Sequence, residues 1–215
     1  MKYAGIVLCG GQSRRMGWPK PMLPFGTERM LQRVVRLMSE VVDPIVVVSA
    51  EGQELPRLSP GVEVVHDRRS GRGPLEGLLA GLSALEGRAE AAYVSSCDVP
   101  LLVPAFVRRM TEMLGDFDVA VPRIEELFHP LSAVYRTRVR GEIEALLAAD
   151  RLRPVFLYEQ VATRVISADE LADVDAGLVS LHNLNTPDDY LAALSAADLT
   201  APPGLLAMFR EKSCT

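Results

Sequence analysis

Cysteine is scarce in this chain of 215 residues, where it occurs only as Cys9, Cys97 and Cys214. An odd number of widely spaced cysteines forms neither a disulfide framework nor the paired pattern of a zinc site. The sequence therefore excludes a small disulfide-rich fold and predicts reduced thiols.

Long hydrophobic runs are also missing. No stretch approaches the roughly 20 apolar residues that span a bilayer, because Asp43 and Pro44 interrupt the longest valine-rich region. The apolar run from Tyr3 to Leu8 is too short for a signal peptide, and Cys9 lacks the upstream leucine of a bacterial lipoprotein. We therefore expect a cytoplasmic protein that does not cross a membrane.

Positive charge is not in excess either. The chain has 28 acidic and 23 basic residues and a formal net charge of −5. A protein whose affinity rests on neutralising many phosphates of a nucleic acid has the opposite sign. Nucleic acid is therefore not an expected partner, and any phosphate chemistry must be confined to a local site.

The composition that remains is that of a folded globular protein, with 48% hydrophobic and 24% charged residues. The length fits one domain. We assign residues 1–196 to that domain and residues 197–215 to a carboxyl-terminal tail, which Pro202 and Pro203 open.

Short β-branched segments alternate with segments of helical periodicity. The predicted strands are residues 3–8, 45–48, 62–65, 91–95, 119–121 and 131–135. The predicted helices are residues 30–38, 74–85, 104–114, 139–148 and 187–196. This alternation is typical of βα units. It predicts a single three-layer α/β domain with a central, mainly parallel, Rossmann-like sheet.

A glycine-rich and basic segment follows the first predicted strand. Gly10 and Gly11 would let backbone N–H groups approach an anion, and Arg14, Arg15 and Lys20 add positive charge. The segment is neither a Walker A motif nor a dinucleotide-binding turn. It predicts a cradle for a triphosphate, and the alternative is an ordinary surface loop with solvated arginines.

Asp98 follows the fourth predicted strand. An aspartate at the carboxyl end of a central parallel strand lies where ligands bind in open α/β sheets, and its oxygens suit Mg²⁺. The alternative is an aspartate that caps a helix or a turn before Pro100.

Asp67 and the segment Gly73-Pro74-Leu75 form the third candidate. Asp67 ends the third predicted strand, and Gly73-Pro74 begins a helix whose amino terminus would point to the same edge of the sheet. The alternative is a plain connecting loop.

These segments together resemble those of the molybdenum cofactor guanylyltransferases, within the wider nucleotidyltransferase superfamily. The resemblance covers about residues 3–196 and rests on five motifs. They are Leu8-x-Gly-Gly-x-Ser-x-Arg-Met-Gly-x-x-Lys20, Gly73-Pro-Leu-x-Gly-Leu, Cys97-Asp98-x-Pro, His129-Pro130-Leu131 and Asn183-x-Asn185-Thr-Pro.

The resemblance implies a cytosolic enzyme that transfers the GMP part of GTP to the terminal phosphate of molybdopterin and releases pyrophosphate. It implies Mg²⁺ as the cofactor, Asp98 as the metal ligand, and Lys20, Arg15 and Asp98 as the catalytic residues. The implied nucleotide contacts are Leu8, Cys9, Gly10, Gly11, Lys20, Asp67, Gly73, Pro74, Leu75 and Asp98.

The implied contacts with molybdopterin are Asn183, Asn185 and Arg151, although Arg153 fits the last position equally well. Residues 183 and 185 point to the same side of an extended segment. Two amides there could hydrogen-bond the acceptor. The alternative is that they satisfy the turn before a helix that Thr186 caps.

The chemistry needs no general base. A phosphate monoester is already ionised near neutral pH, so positioning and charge neutralisation should supply most of the catalysis. The histidines have neither metal-ligand spacing nor an evident catalytic partner; they are His66, His129 and His182.

Two other functions remain open at this point. One is a nucleotidyltransferase of the same fold that uses CTP or a sugar phosphate, and the other is a carrier that binds nucleotide or cofactor without turnover. A molybdoenzyme or a cofactor-delivery protein is a candidate partner. The apolar tail residues could dock on it, but we expect them to pack on their own chain: Leu205, Leu206, Met208 and Phe209.

Overall fold

Strands and helices alternate along the chain in a computed structural model that describes residues 2–10, 18–67, 71–205 and 209. The strands are Tyr3–Leu8 (β1), Pro24–Phe25 (β2), Glu28–Arg29 (β3), Ile45–Ser49 (β4), Glu63–His66 (β5), Ala91–Ser96 (β6), Val119–Ile124 (β7), Leu127–Phe128 (β8), Ser132–Arg136 (β9) and Thr163–Ile166 (β10). The helices are Met30–Ser39 (α1), Pro74–Ala84 (α2), Pro104–Met113 (α3), Arg140–Ala148 (α4), Val155–Tyr158 (α5) and Pro187–Ala196 (α6). Short 3₁₀ turns lie at Lys20–Met22, Thr137–Val139 and Val179–Leu181. No helix in these residues is long and apolar enough to cross a bilayer.

The central sheet has the order β10-β7-β9-β6-β1-β4-β5, and β8 pairs with β7. β1 is parallel to both of its neighbours, β4 and β6. β4 is also parallel to β5, and β7 to β10. β9 is antiparallel to β6 and β7. The prediction of a mainly parallel sheet is confirmed, and the sheet has β1 near its middle.

Helices cover both faces of this sheet. Side chains alternate along β1, so that Val7 belongs to one core and Ile6 and Leu8 belong to the other. The first core packs against α1 and α3, and the second packs against α2 and α4. The predicted three-layer α/β architecture is therefore confirmed.

A third apolar cluster lies beside the sheet and includes part of the tail. The β2–β3 hairpin contributes Phe25, α6 contributes Tyr190, and the tail contributes Leu205 and Phe209. Leu205 is 6% exposed and Phe209 is 5% exposed. These two tail residues pack on their own chain as expected. Residues 206–208 and 210–215 lie outside the described residues, and the domain boundary after residue 196 stays a prediction.

The structure corrects several predicted segment boundaries. The strand predicted at residues 62–65 is Glu63–His66, because the Val62 amide donates to the Ser59 carbonyl at 3.3 Å and closes a turn. The strand predicted at 119–121 extends to Ile124, and the helix predicted at 139–148 begins at Arg140. The sequence did not predict β2, β3, β8, α5 or β10.

Candidate active site

The carboxyl ends of β1, β4 and β6 form the edge of the sheet to which the predicted site residues belong. Leu8 pairs with Val48 on one side and with Ser96 on the other. Two further backbone bonds extend these ladders beyond the strands, from Cys9 N to Val48 O at 2.8 Å and from Cys97 N to Leu8 O at 3.1 Å. The first residues after β1 and β6 are thereby held side by side at the end of the sheet, where ligands of open α/β folds bind.

Asp98 lies at this edge with a side chain that is almost fully buried, because the residue is 6% exposed. Its Oδ2 accepts a hydrogen bond from Lys20 Nζ at 2.6 Å. Its Oδ1 accepts hydrogen bonds from Ser96 Oγ at 2.5 Å and from Asn183 Nδ2 at 2.9 Å. The amino-terminal cap of α3 is Val103. Asp98 therefore does not cap the following helix, and its carboxylate is the centre of a polar network.

Lys20 reaches this network from the 3₁₀ turn that follows Pro19. Its ammonium group donates to Asp98 Oδ2 and, at 2.9 Å, to Asn185 Oδ1. The Lys20 side chain is 18% exposed, so water only partly screens its attraction to Asp98. Asp98 lies 78 positions after Lys20 in the sequence and Asn185 lies 165 positions after it, yet both contact the same ammonium group.

The segment that contains Asn183 and Asn185 is fixed by the start of α6. Thr186 Oγ1 accepts from the Asp189 amide at 3.1 Å, and Asp189 Oδ2 accepts from the amides of Asn185 and Thr186 at 2.9 Å. These backbone donors, Asn185 first, lower the pKa of Asp189. The predicted cap at Thr186 is confirmed. The two asparagine side chains instead reach the Lys20–Asp98 pair, both on the side that the extended spacing predicts.

The first turn of α2 packs beside the end of β1. A Cβ atom placed on Gly77 would lie 3.3 Å from Leu8 Cδ2, so the helix approaches the strand closely at this point. Gly73 caps the helix with a φ of 79°, which favours glycine, and Pro74 occupies the first turn. Leu75 is fully buried in the second core. Gly73, Pro74 and Leu75 thus orient an amino-terminal helix end beside the sheet edge, as predicted.

Other predicted residues lie further from the network or outside the described part. Asp67 follows β5, two strands away from β1, and its amide donates to the Ser49 carbonyl at 3.3 Å. Arg151 is not brought to the network: its guanidinium pairs with Glu159 at 3.2 Å and stacks over Phe156 at 4.1 Å. Gly11 and Arg15 lie outside the described residues, so their roles stay predictions.

Cys9 and Gly10 differ in their surroundings. Cys9 is 2% exposed and Cys97 is 5% exposed. A hydrogen bond with Cys9, together with burial, raises the pKa of the Cys97 thiol. Gly10 is exposed, and a Cβ atom placed on it would meet none of the described residues within 4 Å. Gly10 is therefore exposed at the end of β1, while the two cysteines belong to the first core.

Two polar residues outside the predicted site, Ser96 and Gln53, also support this edge. Ser96 donates a hydrogen bond to Asp98. The sequence contains a signal for this contact, because residues 96 and 98 fall on the same side of an extended strand end. Gln53 Nε2 donates to the Cys9 carbonyl at 3.0 Å, and Gln53 Oε1 accepts from the Ala50 amide at 3.1 Å. No local pattern marks Gln53, because its partner lies 44 positions away.

The donor set fits a metal ion that arrives with a nucleotide. Among the described residues, no group of three or more His, Cys, Asp or Glu side chains could hold a metal by itself. Mg²⁺ commonly binds through one or two carboxylates and completes its shell with phosphate oxygens and water. Asp98 offers one hard carboxylate in a nearly buried position, which suits this mode.

Comparison with known proteins gives a consistent result. The family described as a MobA-like NTP transferase domain matches residues 5–164. A probable molybdenum cofactor guanylyltransferase of Pelotomaculum thermopropionicum is 36% identical over 202 residues, which cover 92% of this chain and 95% of the relative. A protein of the same description from Methanosarcina mazei is 33% identical over 86% of this chain and 87% of its own length.

A solved structure shows the same fold. It is the molybdopterin-guanine dinucleotide biosynthesis protein A of Archaeoglobus fulgidus, with a TM-score of 0.73 and 23% identity over 92% of this chain and 99% of that chain. The family match covers most of the chain, and two relatives exceed 30% identity over nearly their full lengths. The chain therefore belongs to the family of MobA-like NTP transferases.

Proposed function

We propose that this protein transfers GMP from GTP to the terminal phosphate of molybdopterin, releasing pyrophosphate and forming the guanine dinucleotide form of the cofactor. One observation carries the proposal: Lys20 and Asp98 meet at 2.6 Å at the carboxyl edge of the sheet, beside the open backbone of Gly10. The names of the relatives, probable molybdenum cofactor guanylyltransferases, support the choice of GTP and molybdopterin.

The reaction joins two anionic groups. An oxygen of the acceptor phosphate attacks the α-phosphorus of GTP, a new P–O bond forms, and the bond to the β-phosphate oxygen breaks as pyrophosphate leaves. Positioning and electrostatic stabilisation dominate such transfers. Mg²⁺ held by Asp98 would neutralise charge on the triphosphate and on the leaving group.

The nucleotide side of the proposed site combines Gly10, Lys20 and the amino terminus of α2. Lys20 supplies a positive charge, and its stabilising effect increases as negative charge builds on the leaving pyrophosphate. The exposed Gly10 and the amino terminus of α2, where Gly73 and Leu75 carry N–H groups, offer backbone donors to phosphate or base. Leu8, Cys9, Gly11 and Pro74 are assigned to the nucleotide because the resemblance implies it. We assign Asp67 to the nucleotide and Arg15 to the triphosphate, as the resemblance implies.

The acceptor side is the segment that precedes α6. Asn183 and Asn185 are exposed, and their side chains lie at the Lys20–Asp98 pair, where the attacking phosphate must arrive. Arg151 would have to leave Glu159 to reach an acceptor. A molybdoenzyme or delivery protein as recipient, and a cytoplasmic location, stay predictions.

The test is incubation of the purified protein with molybdopterin, Mg²⁺ and each of the four nucleoside triphosphates, with the product identified by mass. GTP should give the guanine dinucleotide and pyrophosphate, and a chelator should stop the reaction until Mg²⁺ is restored. Product from CTP but not from GTP would overturn the nucleotide assignment. GTP binding without any pyrophosphate release would instead identify a carrier.

A further inference from the structure

We propose that Ser96 and Asn183 are positioning residues that hold the Asp98 carboxylate in one orientation and thereby set the affinity of the site for a divalent metal. The inference rests on the proposed function, because it concerns the metal ligand of that site. It gives Asn183 a task at the metal side in addition to the acceptor contact.

The hydrogen bonds around Asp98 form a closed triangle. Ser96 Oγ donates to Asp98 Oδ1 at 2.5 Å. Asn183 Nδ2 donates to Asp98 Oδ1 at 2.9 Å and to Ser96 Oγ at 3.0 Å. The single hydroxyl hydrogen of Ser96 therefore goes to Asp98, while the oxygen accepts from Asn183.

This triangle gives the two carboxylate oxygens different environments. Oδ1 receives two neutral donors, whereas Oδ2 receives the Lys20 ammonium at 2.6 Å. A turn of the carboxylate away from this plane would break all of these contacts. The neutral donors thus hold the plane of the carboxylate so that its other oxygen faces the Lys20 ammonium.

Both neutral donors come from firmly anchored backbone. Ser96 ends β6, pairs with Leu8 and is 6% exposed. The segment with Asn183 is tied to the same place, because the Leu184 amide donates to the Asp98 carbonyl at 2.9 Å. The side chain and main chain of Asp98 are therefore held from both β6 and the approach to α6.

Partners that orient a metal-binding carboxylate usually affect metal affinity by about 10- to 100-fold. Removing the Ser96 hydroxyl leaves Asp98 Oδ1 with one donor fewer in a nearly buried place. We expect the carboxylate to sample other orientations, so that the metal binds more weakly although its ligand is still present.

The experiment measures Mn²⁺ binding by electron paramagnetic resonance, with saturating GTP and no acceptor, so that no turnover is required. The variants are Ser96→Ala and Asn183→Ala, and the matched control is Ser95→Ala. Ser95 is the adjacent buried serine of β6, and its hydroxyl donates to the Ser96 carbonyl rather than to Asp98. Thermal unfolding followed by circular dichroism compares the stability of all variants.

We expect Ser96→Ala and Asn183→Ala to raise the Mn²⁺ dissociation constant by about tenfold or more, with Ser95→Ala within twofold of the wild type. In an Asp98→Asn background, Ser96→Ala should have no further effect on Mn²⁺ binding. If Ser96→Ala does not fold, the exposed Asn183 provides the decisive variant.

Wild-type affinity for Mn²⁺ in both Ser96→Ala and Asn183→Ala would overturn the inference and leave the proposed function standing. Equal weakening by Ser95→Ala and Ser96→Ala would also overturn it, because a general disturbance of β6 would then explain the loss. A wild-type protein that binds no Mn²⁺ with GTP would contradict the proposed nucleotide site itself.

Discussion

Lys20 carries the positive charge at Asp98 in a chain that otherwise relies on arginine. The lysines of the whole sequence are Lys2, Lys20 and Lys212, against twenty arginines. A lysine ammonium is a compact point charge that fits between two oxygens, whereas the arginine guanidinium is a broad planar fork. The contacts of Lys20 with Asp98 Oδ2 and Asn185 Oδ1 use this compact geometry.

Lys20→Ala should therefore reduce kcat/KM for GTP by about 30- to 1000-fold, which corresponds to about 2 to 4 kcal/mol of lost transition-state stabilisation. Lys20→Arg should restore little of this loss, because the larger group does not fit the same position. Lys2→Ala, which changes an exposed lysine at the start of β1, is the control. Steady-state kinetics with each variant measure the effect, and a normal kcat/KM in Lys20→Ala would remove this residue from the site.

Single residues of the site differ in how far the sequence could reveal them. Asp98 and Lys20 belong to short motifs next to predicted strands, and the structure brings them together. Ser96 and Gln53 act through partners that only the fold brings near. Arg151 was selected from the resemblance alone, and the nearby carboxylate of Glu159 and the ring of Phe156 determine where its guanidinium lies.

Helices and strands also differ in whether local sequence or distant partners define them. Helix α6 was predicted at both ends because its signals are local, with Thr186 as cap and acidic residues in the first turn. The β2–β3 hairpin was missed because each strand has two residues and no periodicity. β10 is an edge strand with an exposed Val165, so its apolar pattern is weak, and only its pairing with β7 defines it. The antiparallel direction of β9 likewise depends on distant partners.

Close packing of α2 on β1 leads to a prediction about one glycine. A Cβ atom on Gly81 would lie 2.7 Å from Ile6 Cγ2 and 2.9 Å from Ile6 Cδ1. Ile6 is fully buried in the central strand, so it has little room to move. Overpacking costs about 1 to 3 kcal/mol, while alanine gains about 1 kcal/mol over glycine in helix propensity. Gly81→Ala should therefore lower the free energy of unfolding by up to about 2 kcal/mol.

Gly141 in α4 is the matched control, because a Cβ atom there would meet no atom of the described part of the chain within 4 Å. Gly141→Ala should leave stability unchanged or raise it by up to about 1 kcal/mol. Urea unfolding of both variants gives the comparison. A Gly81→Ala protein as stable as Gly141→Ala would show that α2 can move away from β1.

At the scale of the whole molecule, the third apolar cluster connects parts of the chain that lie far apart in sequence. Its members come from residues 23–30, from residues 184–194 and from the tail. Lys20 directly precedes the first of these segments and Asn185 lies within the second. The cluster therefore supports the two segments whose side chains meet at Lys20 Nζ, and packing of the tail contributes to that support.

Phe209→Ala tests this contribution. The ring of Phe209 packs edge-on against Tyr190, with 5.9 Å between the ring centroids, and the residue is 5% exposed. A fully enclosed phenylalanine loses about 3 to 5 kcal/mol on truncation, but a tail can detach locally, so we expect a loss of about 1 to 3 kcal/mol. The control is Phe117→Ala. Because Phe117 is 40% exposed, this substitution should lower the free energy of unfolding by about 0.5 kcal/mol or less. Urea unfolding measures the stability of both variants. The affinity for GTP should fall in Phe209→Ala only, because loosening the third apolar cluster displaces the turn that contains Lys20. Equal stability of the two variants would show that the Phe209 ring does not stabilise the fold, and an unchanged GTP affinity in Phe209→Ala would show that the tail does not support the site.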